Sequence, residues 1–309
     1  MERYSKVHRN HLRQRRDFSH GAGALSAPLI SALRPLFSNS DLWSRTLTVL
    51  DSVMTEPVDE KQAGFSPPCC PVVELRQYTL HPGKRDVLID LFDREFVETQ
   101  EEVGIKIIGQ FRDLDHQDRF VWLRGFPDMT SRAKALNDFY SGPVWKAHRE
   151  AANATMIDSD NVLLLCPAFP TSGFSLKDLK RAPVGTDEIP TSLVVATIYY
   201  FAKPVAPDFI HFFEHTLRPL IESLGATISA SLVTENSENT FPALPVRVGE
   251  NVFVWFSTFP DLAAYENYLA ALSRSERWRS EVSTPLTRFL EKAPEVLRLS
   301  PTARSLLRD

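Results

Sequence analysis

The chain has 309 residues and a net charge of −4, with 43% hydrophobic and 24% charged residues. That length predicts about two domains of ~100–150 residues in an ordinary globular composition. The charge gives no basic face for nucleic acid, no run of ~18 apolar residues is long enough to span a membrane, and three cysteines, two of them adjacent (Cys69 and Cys70), suit neither a disulfide framework nor a zinc site. These features predict a reduced, intracellular and by default cytoplasmic protein.

Residues 1–50 carry eight Lys/Arg against three acids, a net +5 that leaves −9 for the other 259 residues. Sequence rich in Arg and Ser and poor in acid resembles an organellar transit peptide. It reads also as a flexible basic tail, or as sequence ahead of a start at Met54. The proline-rich "PVDEKQAGFSPPCCP" (Pro57–Pro71) then reads as a linker. Residues 1–71 are therefore expected to be a disordered extension and linker.

From Val72 the text becomes regular. "VVELRQYTL" (Val72–Leu80) predicts a strand, and "HPG" turns the chain. "KRDVLIDLFDREFVETQEEVG" predicts a helix ended by Gly104, with Val87, Leu88, Leu91, Phe92 and Phe96 on one face. Strands over Ile105–Phe111 and Arg119–Phe126 follow, then helices over Thr130–Tyr140 and Pro143–Asn153, then a strand over Asn161–Pro167. The second half repeats that order from Ser192 to Leu299. Gly104 matches Gly225 at an offset of 121, while Trp122/Trp255 and Trp145/Trp278 match at 133. The difference is a longer hairpin in the second half, "ENSENTFPALPVRVG".

Two copies of β-α-β-β-α-β predict an α+β protein made of duplicated ferredoxin-like domains. Each copy leaves one sheet face bare, so the two sheets are expected to face each other within one chain. The expected boundaries are 72–168 and 191–300, with a linker over 169–190 and a tail over 301–309.

"VELRQYTLHPGKRDVLIDLFD", "RFVWLRGFPDM" and "GPVWKAHR" together resemble the NIPSNAP family, of the dimeric α/β-barrel superfamily. The resemblance runs from Val72 to about Ala168, and more sparsely from Leu193 to Leu299. It implies the two-sheet barrel. It implies activity only in outline, since superfamily relatives include cofactor-free monooxygenases acting on quinols or polyketides, and haem-using enzymes. Eukaryotic relatives are linked to mitochondria, which makes mitochondrial targeting the alternative to a cytoplasmic location.

The two copies also serve as an internal comparison. Trp122/Trp255 and Trp145/Trp278 occur in both and read as aromatic filling between sheet and helix. Pro127-Asp128 and Pro260-Asp261 read as helix starts. Glu74, Arg76 and Tyr78 share one face of the first strand, as do Phe120, Trp122 and Arg124 on a later one. The second copy has Val195, Thr197, Tyr199, Trp255 and Ser257 at the matching places. A carboxylate and two guanidiniums in a core need pairing. They are either a Glu–Arg cluster at the barrel seam or the lining of a pocket for an anionic ligand.

His148, opposite Glu281 in the second copy, sits one helical turn from Trp145. It is the candidate general base, or simply a half-exposed side chain. His211 and His215 have metal-compatible spacing without a third ligand, so no metal site is expected. No dinucleotide, nucleotide-triphosphate, serine-hydrolase or zinc-protease motif is present.

Two functions follow. The first is a cofactor-independent monooxygenase or related oxidoreductase on an aromatic or quinol-like molecule. There Trp122 and Trp145 form the pocket with Glu74, Arg76 and Arg124 as binding groups, His148 is the base and Tyr78 orients the substrate. The second is a non-catalytic small-ligand-binding or scaffold protein. They differ in whether the first-copy polar set converges on an open cavity. Haem binding is a third idea, and further self-association is compatible with either.

Overall fold

The computed structural model describes residues 69–308, so the expectations for the basic extension and most of its linker lie outside the described residues. β-branched and aromatic residues form β1 (Val72–Leu80). The helical stretch after it comes in three pieces: α1 (Arg85–Leu91), a π-helical turn (Phe92–Phe96) and α2 (Val97–Glu102). Gly104, at φ +92°, ends it in the left-handed conformation that favours glycine. Next come β2 (Lys106–Asp113), β3 (Arg119–Phe126), α3 (Met129–Ser141), α4 (Pro143–Asn153) and β4 (Met156–Pro167).

The second half begins with β5 (Leu193–Phe201), α5 (Pro207–Phe212), a π-helical turn (Phe213–Leu217) and α6 (Arg218–Ser223). It continues with β6 (Thr227–Thr234), β7 (Asn251–Phe259) and α7 (Leu262–Arg274). A π-helical turn (Trp278–Val282), α8 (Ser283–Phe289) and β8 (Glu295–Pro301) close it.

Fine details recur at the same offsets. The π-helical turns at Phe92–Phe96 and Phe213–Leu217 lie 121 residues apart, and so do the irregularities in β2 at Ile107/Gly109 and in β6 at Ile228/Ala230. Glu74 faces Arg124 across β1 and β3, and Val195 faces Ser257 across β5 and β7. Asp128 and Asp261 cap α3 and α7 by accepting the backbone N–H of Ser131 and Ala264, at 2.6 and 2.7 Å.

The strands do not form two facing sheets. All eight bond edge to edge in one closed barrel, in the order β1-β3-β2-β8-β5-β7-β6-β4. Two short seams join the halves: β2 meets β8 at Phe111–Asp113, and β4 meets β6 at Leu165–Pro167. The physical reason is that β2 and β4 would otherwise be open edges with unpaired backbone groups, and closure satisfies both.

Every strand contributes to the barrel interior, through residues such as Val73, Leu123, Ile198 and Val254. The alternate residues face outward under the helices, around Trp122 in the first half and Trp255 in the second. Of the expected helix face, Leu88, Leu91, Phe92 and Phe96 are buried. Val87 is 51% exposed, and Ile89 points inward instead.

The segment expected as a tail is also inside. Thr302 to Leu307 are buried, with Leu307 in the barrel core. The long hairpin of the second half reaches onto the first, where Arg247 N–H donates to the Val162 carbonyl at 2.9 Å. No helix among the described residues is long and apolar enough to cross a membrane.

Candidate functional site

The charges singled out in the first half converge on the outer face of β1. Glu74 accepts from Arg76 at 2.6 Å, from Arg124 at 2.7 Å and from Arg132 at 2.7 Å. All four side chains are buried, and Arg76 Nε also donates to the Tyr78 hydroxyl at 2.9 Å. Burial alone would raise the Glu74 carboxyl; Arg124, Arg76 and Arg132 outweigh it and hold the group well below the usual carboxylate range. Arg76 and Arg124 lie over the Trp122 ring, at 5.5 and 5.1 Å.

Arg132 went unnoticed in the sequence. It lies on α3, four residues past the capping Asp128, where helical periodicity aims a side chain at the sheet. That spacing was the available signal.

This cluster is closed. The space beside it, lined by Tyr78, Gln100, Trp122 and Trp145 among others, is about 30 Å³, room for roughly one water. Arg76 and Arg124 are turned into Glu74 rather than toward a ligand. The cluster sits on the helix-covered outside of the barrel, not at a seam between sheets. His148 does not line the space: its side chain is 32% exposed and its Nε2 lies 3.5 Å from Glu95. The structure thus gathers Glu74, Arg76, Tyr78, Trp122, Arg124 and Trp145, and leaves His148 at the surface.

An open cavity lies at the matching place in the second half. It measures about 320 Å³, within the range of small-ligand sites. Its lining includes Val195, Thr197, Ser257 and Tyr265, which the offsets match to Glu74, Arg76, Arg124 and Arg132. Leu217 and Leu272 likewise stand for Phe96 and Phe139, and Trp255 and Trp278 for Trp122 and Trp145. Arg76 and Arg124 thereby give way to Thr197 and Ser257, Glu74 to Val195, and two phenyl rings to leucines, all smaller groups on a similar frame, and space results although Tyr265 is no smaller than Arg132. Leu269 and Val296, 43% and 42% exposed, mark its mouth.

The polar residues of the lining are Tyr199, Tyr265, Tyr268, Thr197, Ser257, Ser283 and Thr287, with Trp255 and Trp278; the Ser283 and Thr287 hydroxyls donate to the Arg279 and Ser283 carbonyls. Burial pushes the Tyr199 phenol up despite the nearby Trp255 N–H, and does the same to Tyr268. These phenols stay neutral donors near pH 7. The Trp255 N–H is buried without a partner of hydrogen-bonding geometry. No histidine, cysteine, lysine, arginine or carboxylate lines the cavity. A haem there would find only phenols as axial ligands, which is a poor fit to its usual histidine or cysteine.

His211 and His215 have rings 4.3 Å apart, yet no group of three or more His, Cys, Asp or Glu among the described residues could hold a metal ion.

The NIPSNAP family model matches residues 73–170. A solved NIPSNAP-like domain protein from Burkholderia xenovorans is 26% identical, covering 31% of this chain and 84% of its own, with a TM-score of 0.29. A Fusobacterium nucleatum protein proposed to be a monooxygenase is 11% identical, covering 75% and 93%, with a TM-score of 0.47. An anthrone oxidase-like protein is 14% identical, covering 75% and 91%, with a TM-score of 0.45. Among curated proteins, none matches.

Proposed function

Taking as premise that the chain belongs to the NIPSNAP family through residues 73–170, we propose that it binds a small, neutral, largely aromatic molecule in the second-half cavity. The observation that carries this reading is the cavity of about 320 Å³, which has apolar walls, neutral hydroxyls and no ionised group. Burying a charge there would be costly without a partner, so a neutral ligand is favoured. The wider architecture is read as two ferredoxin-like units, over 72–168 and 191–300. The repeated π-helical turns, strand irregularities and cross-strand pairs support that reading. The Glu74 cluster of the first unit is then sealed, and the neutral ligand of this reading sits in the second.

A second reading is cofactor-independent oxidation of the bound molecule by dioxygen. The donors Tyr199 and Trp255 favour it, because neutral hydrogen-bond donors in a dry site stabilise a developing oxyanion. No residue lining the cavity is a ready general base, so the substrate's proton would have to pass to water at the cavity mouth.

Native mass spectrometry of the purified chain, followed by fluorescence titration with 2-naphthol, tests the binding reading. A retained small molecule, or saturable 2-naphthol binding lost in Thr197→Trp, supports it. Absence of both overturns it. Oxygen uptake with the retained molecule separates binding from oxidation.

A further inference from the structure

The Glu235–Gly249 hairpin belongs to the second half by sequence, but it lies against the first, and three of its residues meet Arg132 and Tyr140 there. Arg132 Nε is taken by Glu74, while its Nη1 donates to Asn239 Oδ1 at 3.0 Å and to Thr240 Oγ1 at 3.2 Å. The next residue, Phe241, stacks on Tyr140 with centroids 5.9 Å apart and planes 24° from parallel. Tyr140 in turn meets Trp145 at 4.9 Å. Two oxygens on a guanidinium with an aromatic ring beside them have the outline of a small aromatic carboxylate.

The fit is incomplete in a telling way. Asn239 and Thr240 are neutral acceptors, and a guanidinium bonds a carboxylate more strongly than either. Arg132 Nη2 is buried and has no acceptor at all. Around it, three guanidiniums share the single carboxylate of Glu74, so one more negative charge would reduce a buried excess. The hairpin is anchored at its base by Glu235 and Arg247 on Leu164 and Val162, while at its outer part Thr240 is exposed, with its hydroxyl on the Met129 carbonyl, and Asn239 and Phe241 are half-buried.

We propose that Arg132, Tyr140 and Trp145 form a second binding site, for a small aromatic carboxylate, and that Asn239, Thr240 and Phe241 occupy it as a tethered stand-in for that ligand. The site is separate from the second-half cavity, shares none of its lining, and takes the opposite charge class. A tethered competitor acts at an effective concentration near the millimolar range, so it masks a ligand of ordinary affinity.

The test is titration of the full chain with 2-naphthoate, with uncharged 2-naphthamide as control. Asn239→Ala/Phe241→Ala removes the stand-in and is expected to bind 2-naphthoate about tenfold or more tightly than wild type. Asn239→Asp places a carboxylate on Arg132 from within and is expected to bind more weakly than wild type. The amide should gain nothing from either change. Unchanged 2-naphthoate affinity in a folded double variant overturns the proposal, and so does an equal gain by the amide. If melting curves show that the double variant does not fold, Asn239→Asp decides alone. A fall in affinity sustains the site, and no fall removes it.

Discussion

Arg132 and Tyr265 stand at the same turn of matched helices. Each is four residues past a capping aspartate and donates its backbone N–H to that aspartate's carbonyl, Asp128 at 2.9 Å and Asp261 at 3.3 Å. Arg132 drives a guanidinium onto Glu74, whereas Tyr265 lends a ring to the wall of a cavity. Similar backbones therefore carry a sealed ionic knot in one half and an open chamber in the other, and the side chains alone decide which.

The knot should be expensive to break. Glu74→Ala leaves three buried guanidiniums without their shared carboxylate, and the expected loss is ~3–5 kcal/mol. Val195→Ala, at the matched place beside existing space, should cost only about 1 kcal/mol. Urea unfolding of the two variants checks the contrast, and equal losses would refute it.

Acid should reveal the same group. The folded Glu74 carboxyl is held below its unfolded value, so its stabilisation is complete above the ordinary glutamate value of about 4.3 and is lost as pH falls from there toward the folded value. Wild type should thus lose stability below about pH 4 more steeply than Glu74→Gln does. Parallel denaturation series from pH 7 to about pH 3 measure the two slopes, and superimposable slopes would rule out Glu74 as a source.

The chamber should respond to its hydroxyls. Tyr199→Phe removes a buried donor without changing shape, so 2-naphthol affinity should fall by roughly five- to tenfold, the worth of one neutral hydrogen bond. Thr197→Trp should abolish binding while moving the melting temperature by no more than about 4 °C, because it fills space rather than displacing neighbours. Full binding by Thr197→Trp would place the ligand elsewhere.

His148 offers the opposite expectation. Its half-exposed ring near Glu95 borders neither enclosed space, so His148→Ala should alter stability by less than about 0.5 kcal/mol and leave 2-naphthol binding unchanged. A clear loss of binding would return it to the site.

The order of elements was legible because strands and amphipathic helices write their burial as period two and period 3.6. Gly104, Gly225 and the two capping aspartates marked ends in the same way. Barrel closure was not legible, since it rests on two short seams whose partners are far apart in sequence and carry no pattern of their own. The Glu74–Arg76–Arg124 grouping was visible from alternation along β1 and β3, but its being sealed depended on Arg132, supplied by a helix. The chamber was missed for a different reason: Val195, Thr197 and Ser257 look like plain scaffold, and a void is made by atoms that are not there.

Closure of the ring also governs how this protein can meet others. A strand on the rim of an open sheet offers its amides to any extended peptide, and that is how many complexes and fibres begin. Among the described residues each of the eight strands has a neighbour on both sides, so this sheet offers no full-length free rim to extend. For this barrel, association is therefore left mainly to helix surfaces and loops, where side chains choose the partner.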